Sequence, residues 1–167
     1  MATQFRDKAN LKILEFTPAL ASKFKEINEE WIRAMFRLEA KDQKVLDSPE
    51  EVIIRPGGHI LFIEVVGLGV VGTCALLKTG ENEYELTKMG VLESARGSGA
   101  GRFLLEATIA KAQAIGAKRL YLLTNKKCAS AIHLYETCGF RHDPQIMAEF
   151  GGEYARCDVA MLYSPLS

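Results

Sequence analysis

A glycine-rich turn at residues 96–101, with the sequence Arg-Gly-Ser-Gly-Ala-Gly, is the segment of the chain best suited to binding a ligand. It follows a run predicted to be a strand and precedes a run predicted to be a helix. In that position, successive backbone N–H groups and the positive end of the helix dipole converge on an anion. Glycine lets the backbone approach a phosphate closely, although many glycine-rich segments are only tight turns. The spacing of the glycines must therefore decide what the turn binds.

Two common phosphate-binding motifs do not fit this turn. A dinucleotide-binding GxGxxG motif needs glycine where the chain has Arg102, and an acidic residue about 20 residues later, where the chain is Ala-Lys-Arg over residues 117–119. A P-loop ends in Gly-Lys followed by Ser or Thr, whereas this turn ends in Gly101-Arg102-Phe103. The spacing argues against a Rossmann dinucleotide site and against nucleotide hydrolysis.

The turn does match a third pattern, in which Arg or Gln is followed after two residues by Gly and after one more residue by Gly or Ala. Arg96, Gly99 and Gly101 fill its fixed positions. On this motif the sequence resembles the GNAT superfamily of N-acetyltransferases. Residues 84–91 resemble the fourth strand of that family, and residues 131–140 resemble its later AxxLYxxxGF motif. The resemblance is strong over residues 60–163 and holds only in outline for the first third of the chain.

The resemblance implies an α/β (α+β) fold with a mixed, mostly antiparallel central sheet and helices on both faces. It also implies an enzyme that moves an acetyl group from acetyl-CoA, without a metal, directly to a primary amine of a small molecule, amino acid or peptide. Backbone N–H groups near residues 89–91 would face the pantetheine arm and the thioester carbonyl. The residues assigned to the cofactor are Met89, Gly90, Val91, Arg96, Gly97, Ser98, Gly99, Ala100, Gly101, Arg102, Asn125 and Tyr135.

One position departs from the family pattern. Many relatives carry Asn three residues before the Ala of AxxLY, and this chain has Cys128 there. Asn125, three residues earlier, either takes over a polar contact to the cofactor or only caps the end of a strand.

Acetyl transfer needs a neutral amine, a polarised carbonyl and a proton for the departing thiolate. By its place in the family motif, Tyr135 resembles the tyrosine whose hydroxyl lies near the thioester sulfur, which predicts a general acid. The alternative for Tyr135 is a helix residue that packs on the sheet. Glu85 lies eleven residues before Arg96, where several relatives keep a glutamate that deprotonates the amine directly or through water. Desolvation would raise the pKa of that carboxyl toward the value a base needs, whereas the alternative is an exposed glutamate at a strand end.

Five other polar residues could take part in this chemistry, but each has a simpler explanation. His59 and His142 flank turns, and His133 lies on the outward side of its helix, so all three are expected to be exposed. Glu39 and Asp42 could attract a cationic amine, because the first third of the chain shapes the acceptor site in the family. A solvent-exposed helix face explains these two acids equally well.

The strand that carries Glu85 is predicted over residues 84–91. Its period of two places Glu85, Thr87, Met89 and Val91 on one face, which is expected to line the cofactor cleft. A hairpin precedes it, with strands at 60–66 and 70–78 around a glycine-containing turn.

The first third of the chain is predicted to be mostly helical. Thr17-Pro18 is typical of a helix start, and the helical composition continues to Asn28. Residues 48–51, Ser-Pro-Glu-Glu, have the pattern of a capping box, for a short helix that ends near Pro56. After the glycine-rich turn, the patterns predict a helix to about Ile115, a strand at 120–124, a helix at 130–138 and a strand at 155–163.

Length and composition predict one globular domain over residues 1–167, with 48% hydrophobic and 25% charged residues. Lys and Arg together number 21, as do Asp and Glu, which argues against a nucleic-acid partner. The charged N-terminal segment 1–8 is not a signal peptide, and the apolar run at 60–77 suits two strands better than a membrane span. The four cysteines lack any metal-ligand spacing and are predicted to be free thiols, so a cytoplasmic protein is expected. Because GNAT relatives often pair, a homodimer is a further expectation.

A non-catalytic acyl-CoA-binding sensor on the same fold is the alternative function. The presence of both Tyr135 and Glu85 favours the enzyme, since a sensor would need only the glycine-rich turn. No motif in the first third identifies the acceptor amine, and the sequence leaves open whether the donor is acetyl or another short acyl group.

Overall fold

Seven strands form one sheet within residues 10–164, the part of the chain that this computed structural model describes. In chain order they are β1 (Leu11–Glu15), β2 (His59–Val65), β3 (Gly69–Gly80), β4 (Glu83–Val91), β5 (Arg119–Thr124), β6 (Phe140–His142) and β7 (Val159–Tyr163). Their order across the sheet is β1-β2-β3-β4-β5-β7-β6. Neighbouring strands are antiparallel except β4 and β5, which are parallel. The predicted mixed, mostly antiparallel sheet is confirmed.

Helices cover both faces of the sheet. They are α1 (Ala21–Met35), α2 (Ala40–Asp47), α3 (Ala100–Ala114), α4 (Ala129–Thr137) and α5 (Pro144–Phe150). On one face, Leu104 of α3 and Tyr135 of α4 pack in the largest core cluster with Leu122 of β5. On the other face, Phe24 of α1 belongs to a second cluster and Ile146 of α5 packs with Tyr121 of β5. Within residues 10–164 none of the helices is long and apolar enough to cross a membrane.

The first strand is a feature that the sequence patterns did not reveal. The region before Thr17 was expected to join a mostly helical first third, but β1 pairs antiparallel with β2 from Leu11↔Val65 to Glu15↔Leu61. The strand has a neighbour on one side only, and Lys12 and Glu15 are exposed. Five residues with two charges carry too little alternation to signal a strand. The N-terminal segment 1–8, where no signal peptide is predicted, lies outside the described residues.

The capping box predicted at Ser48 is wrong. Ser48 ends α2, with its backbone N–H donating to the carbonyl of Lys44 at 3.2 Å, and a single π-helical turn (Glu50–Ile54) follows. The capping box instead begins α2. The backbone N–H of Glu39 donates to Asp42 Oδ2 at 2.9 Å, and the Glu39 side chain accepts a backbone N–H in return. This pairing fixes the positions of two acidic side chains near the site described below.

The segment between β6 and β7 also differs from the prediction. Asp143 accepts a hydrogen bond from the backbone N–H of Ile146 and Pro144 occupies the first turn, so α5 begins with an Asp-Pro cap. The last strand starts at Val159 rather than at residue 155. Residues 154–158 form a loop instead, and that loop lies beside the site.

Candidate active site

A cleft of about 630 Å³ opens where the two parallel strands separate. The pairing of β4 with β5 runs from Glu83↔Arg119 to Leu86↔Leu122 and then stops. Beyond that point, residues 86–91 of β4 line one side of the cleft and residues 122–125 line the other. The backbone groups of β4 that face β5 have no strand partner there, so they are available to an extended ligand.

A β-bulge at the mouth of the cleft changes which side chains face it. Lys88 has a φ of +52°, and the pairing of β4 with β3 shifts register between Thr87↔Ala75 and Gly90↔Thr73. An inserted residue reverses the alternation of the strand beyond it. Met89 and Val91 therefore pack against the same core cluster as Leu86.

The expectation that Glu85, Thr87, Met89 and Val91 share one face is therefore wrong. Glu85 pairs in register with Tyr121, whose side chain packs under α5 on the opposite face of the sheet from α3. The left-handed backbone at Lys88 is a tertiary feature, because nothing in the alternation of residues 84–91 announces it.

The glycine-rich turn has the conformation that its sequence predicts. Gly97 and Gly99 have φ values of +81° and +89°, in the left-handed region that favours glycine. Gly99 is the residue that precedes α3, so the first turn of that helix begins at the end of the loop. Arg96, Gly97 and Gly101 line the cleft. Backbone N–H groups at the start of a helix of this length favour an anion.

The other predicted residues of the turn support it rather than line the cleft. The hydroxyl of Ser98 is buried and accepts the backbone N–H of Ala100 at 3.2 Å. Arg102 is exposed and forms an ion pair with Glu106 at 3.5 Å. Of the cofactor residues predicted elsewhere, Met89, Gly90, Val91, Asn125 and Tyr135 all line the cleft.

Tyr135 lies inside the cleft and also packs on the core. It is 8% exposed and its ring meets that of Phe140 edge-on, with centroids 5.9 Å apart. Within residues 10–164 its hydroxyl has no recorded hydrogen-bond partner. Burial raises the pKa of Tyr135 well above its ordinary value, and nearby Cys74 and Cys128 act in the same direction. The phenol therefore stays protonated at neutral pH, as a proton donor must.

Glu85 is 3% exposed, so it is not the exposed strand-end residue of the alternative interpretation. Burial raises the pKa of the Glu85 carboxyl, while Lys88 and Lys41 oppose that rise. The residue is not among those that line the cleft. It interacts with residues that do line the cleft: Thr87 and Lys88 lower its pKa, and its charge, together with burial, raises the pKa of Tyr154.

A buried ion network lies between the cleft and α2. Asp42 is 0% exposed, and its carboxylate accepts a bond from Lys88 Nζ at 2.8 Å and two bonds from Arg156, at 2.6 and 2.7 Å. Lys88 Nζ also donates to the Tyr154 hydroxyl at 3.0 Å. Burial would raise the pKa of Asp42, but the two basic partners outweigh it and hold that pKa well below its ordinary value.

Neither acid of the first third fills the role expected of it. Asp42 is enclosed by basic residues rather than exposed on a helix face, and Glu39 accepts a bond from Arg156 at 3.2 Å. Neither residue lines the cleft, so neither is placed to attract a cationic amine. The partners lie 46 and 114 residues from Asp42 along the chain, so no local pattern could have found the network.

The geometry of Asn125 favours the capping interpretation of that residue. Its side-chain Nδ2 donates to the carbonyl of Arg156 at 2.7 Å, and its Oδ1 accepts the backbone N–H of Lys127 at 2.8 Å. The amide therefore joins the loop after β5 to the loop before β7. Both loops border the cleft.

An apolar wall at the other end of the cleft was also missed. Trp31, Met35 and Phe36, from the end of α1 and the residue after it, line the cleft. Their helical spacing in the sequence indicates only a core face. Of the three histidines, His133 and His142 are exposed as expected and His59 is half-buried, and none lines the cleft.

Together, the split parallel strands, the glycine-rich turn before a helix and the buried tyrosine define an acyltransferase fold with an extended cofactor groove. The chain belongs to the acetyltransferase (GNAT) family, whose model matches residues 19–140, so the resemblance on the motifs is confirmed. It is 29% identical over 151 residues to the uncharacterised N-acetyltransferase YjgM of Escherichia coli K12, and the matched region covers 89% of each protein.

Two solved structures share the fold. A GNAT acetyltransferase from Staphylococcus aureus superimposes with a TM-score of 0.80 at 21% identity, covering 91% of this chain and 97% of the other. YncA from Salmonella typhimurium, solved with its cofactor acetyl-CoA, gives a TM-score of 0.68 at 20% identity and covers 92% of each chain. The protein is accordingly an acetyltransferase of the GNAT family.

Proposed function

We propose that the protein transfers the acetyl group of acetyl-CoA directly to a primary amine of a small molecule, amino acid or peptide. The observation that carries this proposal is the split between β4 and β5, with Tyr135 inside it and the glycine-rich turn at its end. The same fold in YncA holds acetyl-CoA, which supports the choice of donor.

The cofactor is expected to lie along the split. Its pyrophosphate would lie at the backbone N–H groups of Gly97 to Gly101, where the helix dipole of α3 favours negative charge. The pantetheine arm would follow the unpaired edge of β4, adding its amides to the sheet as an extra strand does. The thioester carbonyl would then meet backbone N–H groups at residues 89–91.

In the proposed reaction the amine nitrogen attacks the thioester carbonyl carbon, and the carbon–sulfur bond then breaks. The departing thiolate takes the proton of the Tyr135 hydroxyl, which has no competing acceptor among the described residues. The amine loses one proton to a base. Glu85 is the proposed base, acting through water because its buried carboxyl does not border the cleft.

Two measurements on the purified protein test this function. Acetyl-CoA at about 100 times its dissociation constant should raise the melting temperature by roughly 5 to 11 °C, from a linkage term of about 2.7 kcal/mol. Free thiol release with a panel of primary amines should then identify an acceptor. A melting temperature indifferent to saturating acetyl-CoA would contradict the proposal.

Tyr135→Phe removes only the hydroxyl and isolates its role. The melting shift with acetyl-CoA should survive, while kcat with an accepted amine should fall by about 10²-fold. If the variant instead keeps full turnover and loses stability, Tyr135 is a packing residue and the thiolate takes its proton from another source.

A further inference from the structure

The charged residues that line the cleft within residues 10–164 are all basic. They are Lys88, Arg96, Lys127 and Arg156, with no aspartate or glutamate among the lining residues. Arg96 belongs to the glycine-rich turn at the cofactor end. Lys88 is neutralised by Asp42 and bonded to Tyr154. The two basic residues that remain, Lys127 and Arg156, lie at the end beside the apolar wall.

Arg156 keeps one bonding edge of its guanidinium unused by the described residues. Its recorded side-chain bonds engage Nη1 twice and Nη2 once, with Asp42 and Glu39 as acceptors. A guanidinium has five N–H donors, and the Nε–H and the second N–H of Nη2 lie side by side on the remaining edge. That edge has the geometry for two parallel bonds to a carboxylate. The partners that occupy the other donors also fix the position of the group.

Lys127 lies beside the same aromatic ring as Arg156. The Nζ of Lys127 is 5.6 Å from the centroid of the Phe36 ring, and the guanidinium carbon of Arg156 is 5.7 Å from it. Lys127 is exposed and forms no recorded ion pair with a described carboxylate. The Asn125 amide joins the backbones of Lys127 and Arg156 through bonds of 2.8 and 2.7 Å, which holds the two basic residues next to each other.

The charge balance of this end of the cleft favours an anion. Lys88 and Arg156 are offset by Asp42 and Glu39, which leaves the charge of Lys127 unbalanced, and neither acid is among the residues that line the cleft. A polyamine acceptor would meet no acidic side chain among the described residues that line the cleft. An amine that also carries a carboxylate would find two basic residues that line the cleft, Lys127 and Arg156, the second with donors that the described residues leave unused.

The apolar wall describes the rest of the acceptor. Trp31 and Phe36 present their rings to the cleft edge-on to each other, with centroids 6.5 Å apart, and Met35 is 39% exposed. Exposing apolar side chains of this size to water is unfavourable, and a ligand that covers them removes that cost. A large apolar substituent on the acceptor would do so.

We infer that the acceptor is an α-amino acid, or a close analogue, with a large apolar or aromatic side chain, and that Lys127 and Arg156 bind its carboxylate. This inference rests on the acetyltransferase function proposed above and adds the substrate class. In the transfer the amino nitrogen forms the amide bond to the acetyl carbon, and the carboxylate is unchanged.

The test is acetyl-CoA turnover with matched acceptors. The set comprises the free amino acids with apolar side chains, their carboxamides, the amines formed by their decarboxylation, and spermidine. The free acids should have the lowest KM, although the carboxamides hold more uncharged amine at neutral pH. Lys127→Gln should raise KM for the free acid about tenfold more than it raises KM for the matching carboxamide. Lys127→Glu should reverse the preference toward the amines that lack a carboxylate.

Lys126→Gln is the matched control, because Lys126 is exposed, adjacent and outside the cleft lining, and it should behave as wild type. Carboxamides or decarboxylated amines that react as well as the free acids, or a Lys127→Gln effect on KM for acetyl-CoA alone, would overturn the inference while the acetyltransferase function stands. If acetyl-CoA neither raises the melting temperature nor is consumed with any amine, the proposed function fails and the inference fails with it.

Discussion

The two buried acids Glu85 and Asp42 have pKa values that are shifted in opposite directions. Asp42, also buried, receives bonds from two basic groups, which hold its pKa low. Glu85 has no such bonds, and burial therefore raises its pKa. Of the two acids, only Glu85 has the environment that suits a proton acceptor working near neutral pH.

Glu85→Gln should change both kinetics and stability, with different pH dependences. If Glu85 accepts the amine proton, kcat/KM should fall by about 10²-fold near neutral pH and by less at alkaline pH, where more of the amine is uncharged. The folded-state pKa of Glu85 is raised, so its favourable contribution to stability is present below the ordinary value of 4.5 and is lost as pH rises through the folded pKa. The variant should therefore become more stable than wild type as the pH rises above that value.

The measurements are pH–rate profiles with one accepted amine and urea unfolding across the same pH range. Parallel rate profiles for wild type and variant would exclude the base role and indicate that Glu85 only positions the substrate. A gain in stability with unchanged rates would show a buried carboxyl without any part in the reaction.

At the scale of elements, α3 has a glycine with a left-handed backbone at each end: Gly99, in the glycine-rich turn before it, and Gly116 after it. Gly99→Ala forces a β-carbon into a backbone with φ of +89°, at a cost of about 1 kcal/mol, and distorts the N–H groups that face the proposed pyrophosphate. Gly116, with φ of +83°, lies at the other end of α3 with no atom within 4 Å of an added β-carbon, so Gly116→Ala carries similar strain without altering the turn.

Thermal melts with and without acetyl-CoA separate the loss of stability through backbone strain from the loss of cofactor binding. Both variants should melt below wild type without ligand. Gly99→Ala should lose most of the melting shift produced by acetyl-CoA, whereas Gly116→Ala should keep it. An equal ligand shift in both variants would mean that the turn does not bind the cofactor.

The elements also show which parts of the fold the sequence could predict. The hairpin of β2 and β3, the strand β4 and the turn at residues 96–101 have local signals, namely alternation, tight-turn glycines and motif spacing. The bulge at Lys88 has none: it places a side chain that bonds to Asp42 and Tyr154, which are far away in the chain. For the same reason the motifs predicted residues of the proposed cofactor site, whereas Arg156 and Phe36 of the proposed acceptor site became visible only in three dimensions.

At the scale of the whole molecule, the ion network joins three distant segments around the proposed acceptor end of the cleft. Asp42 belongs to α2, Lys88 to the bulge of β4, and Arg156 to the loop before β7. The paired charges hold these segments in register, but a buried ion pair is strongly unfavourable once one partner is lost. Stability at neutral pH is therefore expected to depend on a single carboxylate.

Asp42→Asn keeps the size of the side chain and removes its charge, which leaves the buried Lys88 and the half-buried Arg156 without their shared carboxylate partner. The free energy of unfolding at pH 7 should fall by about 3 kcal/mol. The pH dependence follows from the lowered folded-state pKa of Asp42: its contribution to stability is complete above the ordinary value of 3.8 and is lost as pH falls through the lower folded-state value. Urea unfolding from pH 7 down to acid should thus show the difference in unfolding free energy between wild type and variant narrowing only below about pH 4.

Asp47→Asn, which removes an exposed acid paired with Lys25 at the surface, is the control and should lower stability much less. If the gap for Asp42→Asn is small at pH 7 and constant into acid, the network does not hold the three segments together, and the placement of Arg156 beside the cleft must come from the Asn125 amide and the aromatic rings of Phe36 and Tyr154 alone.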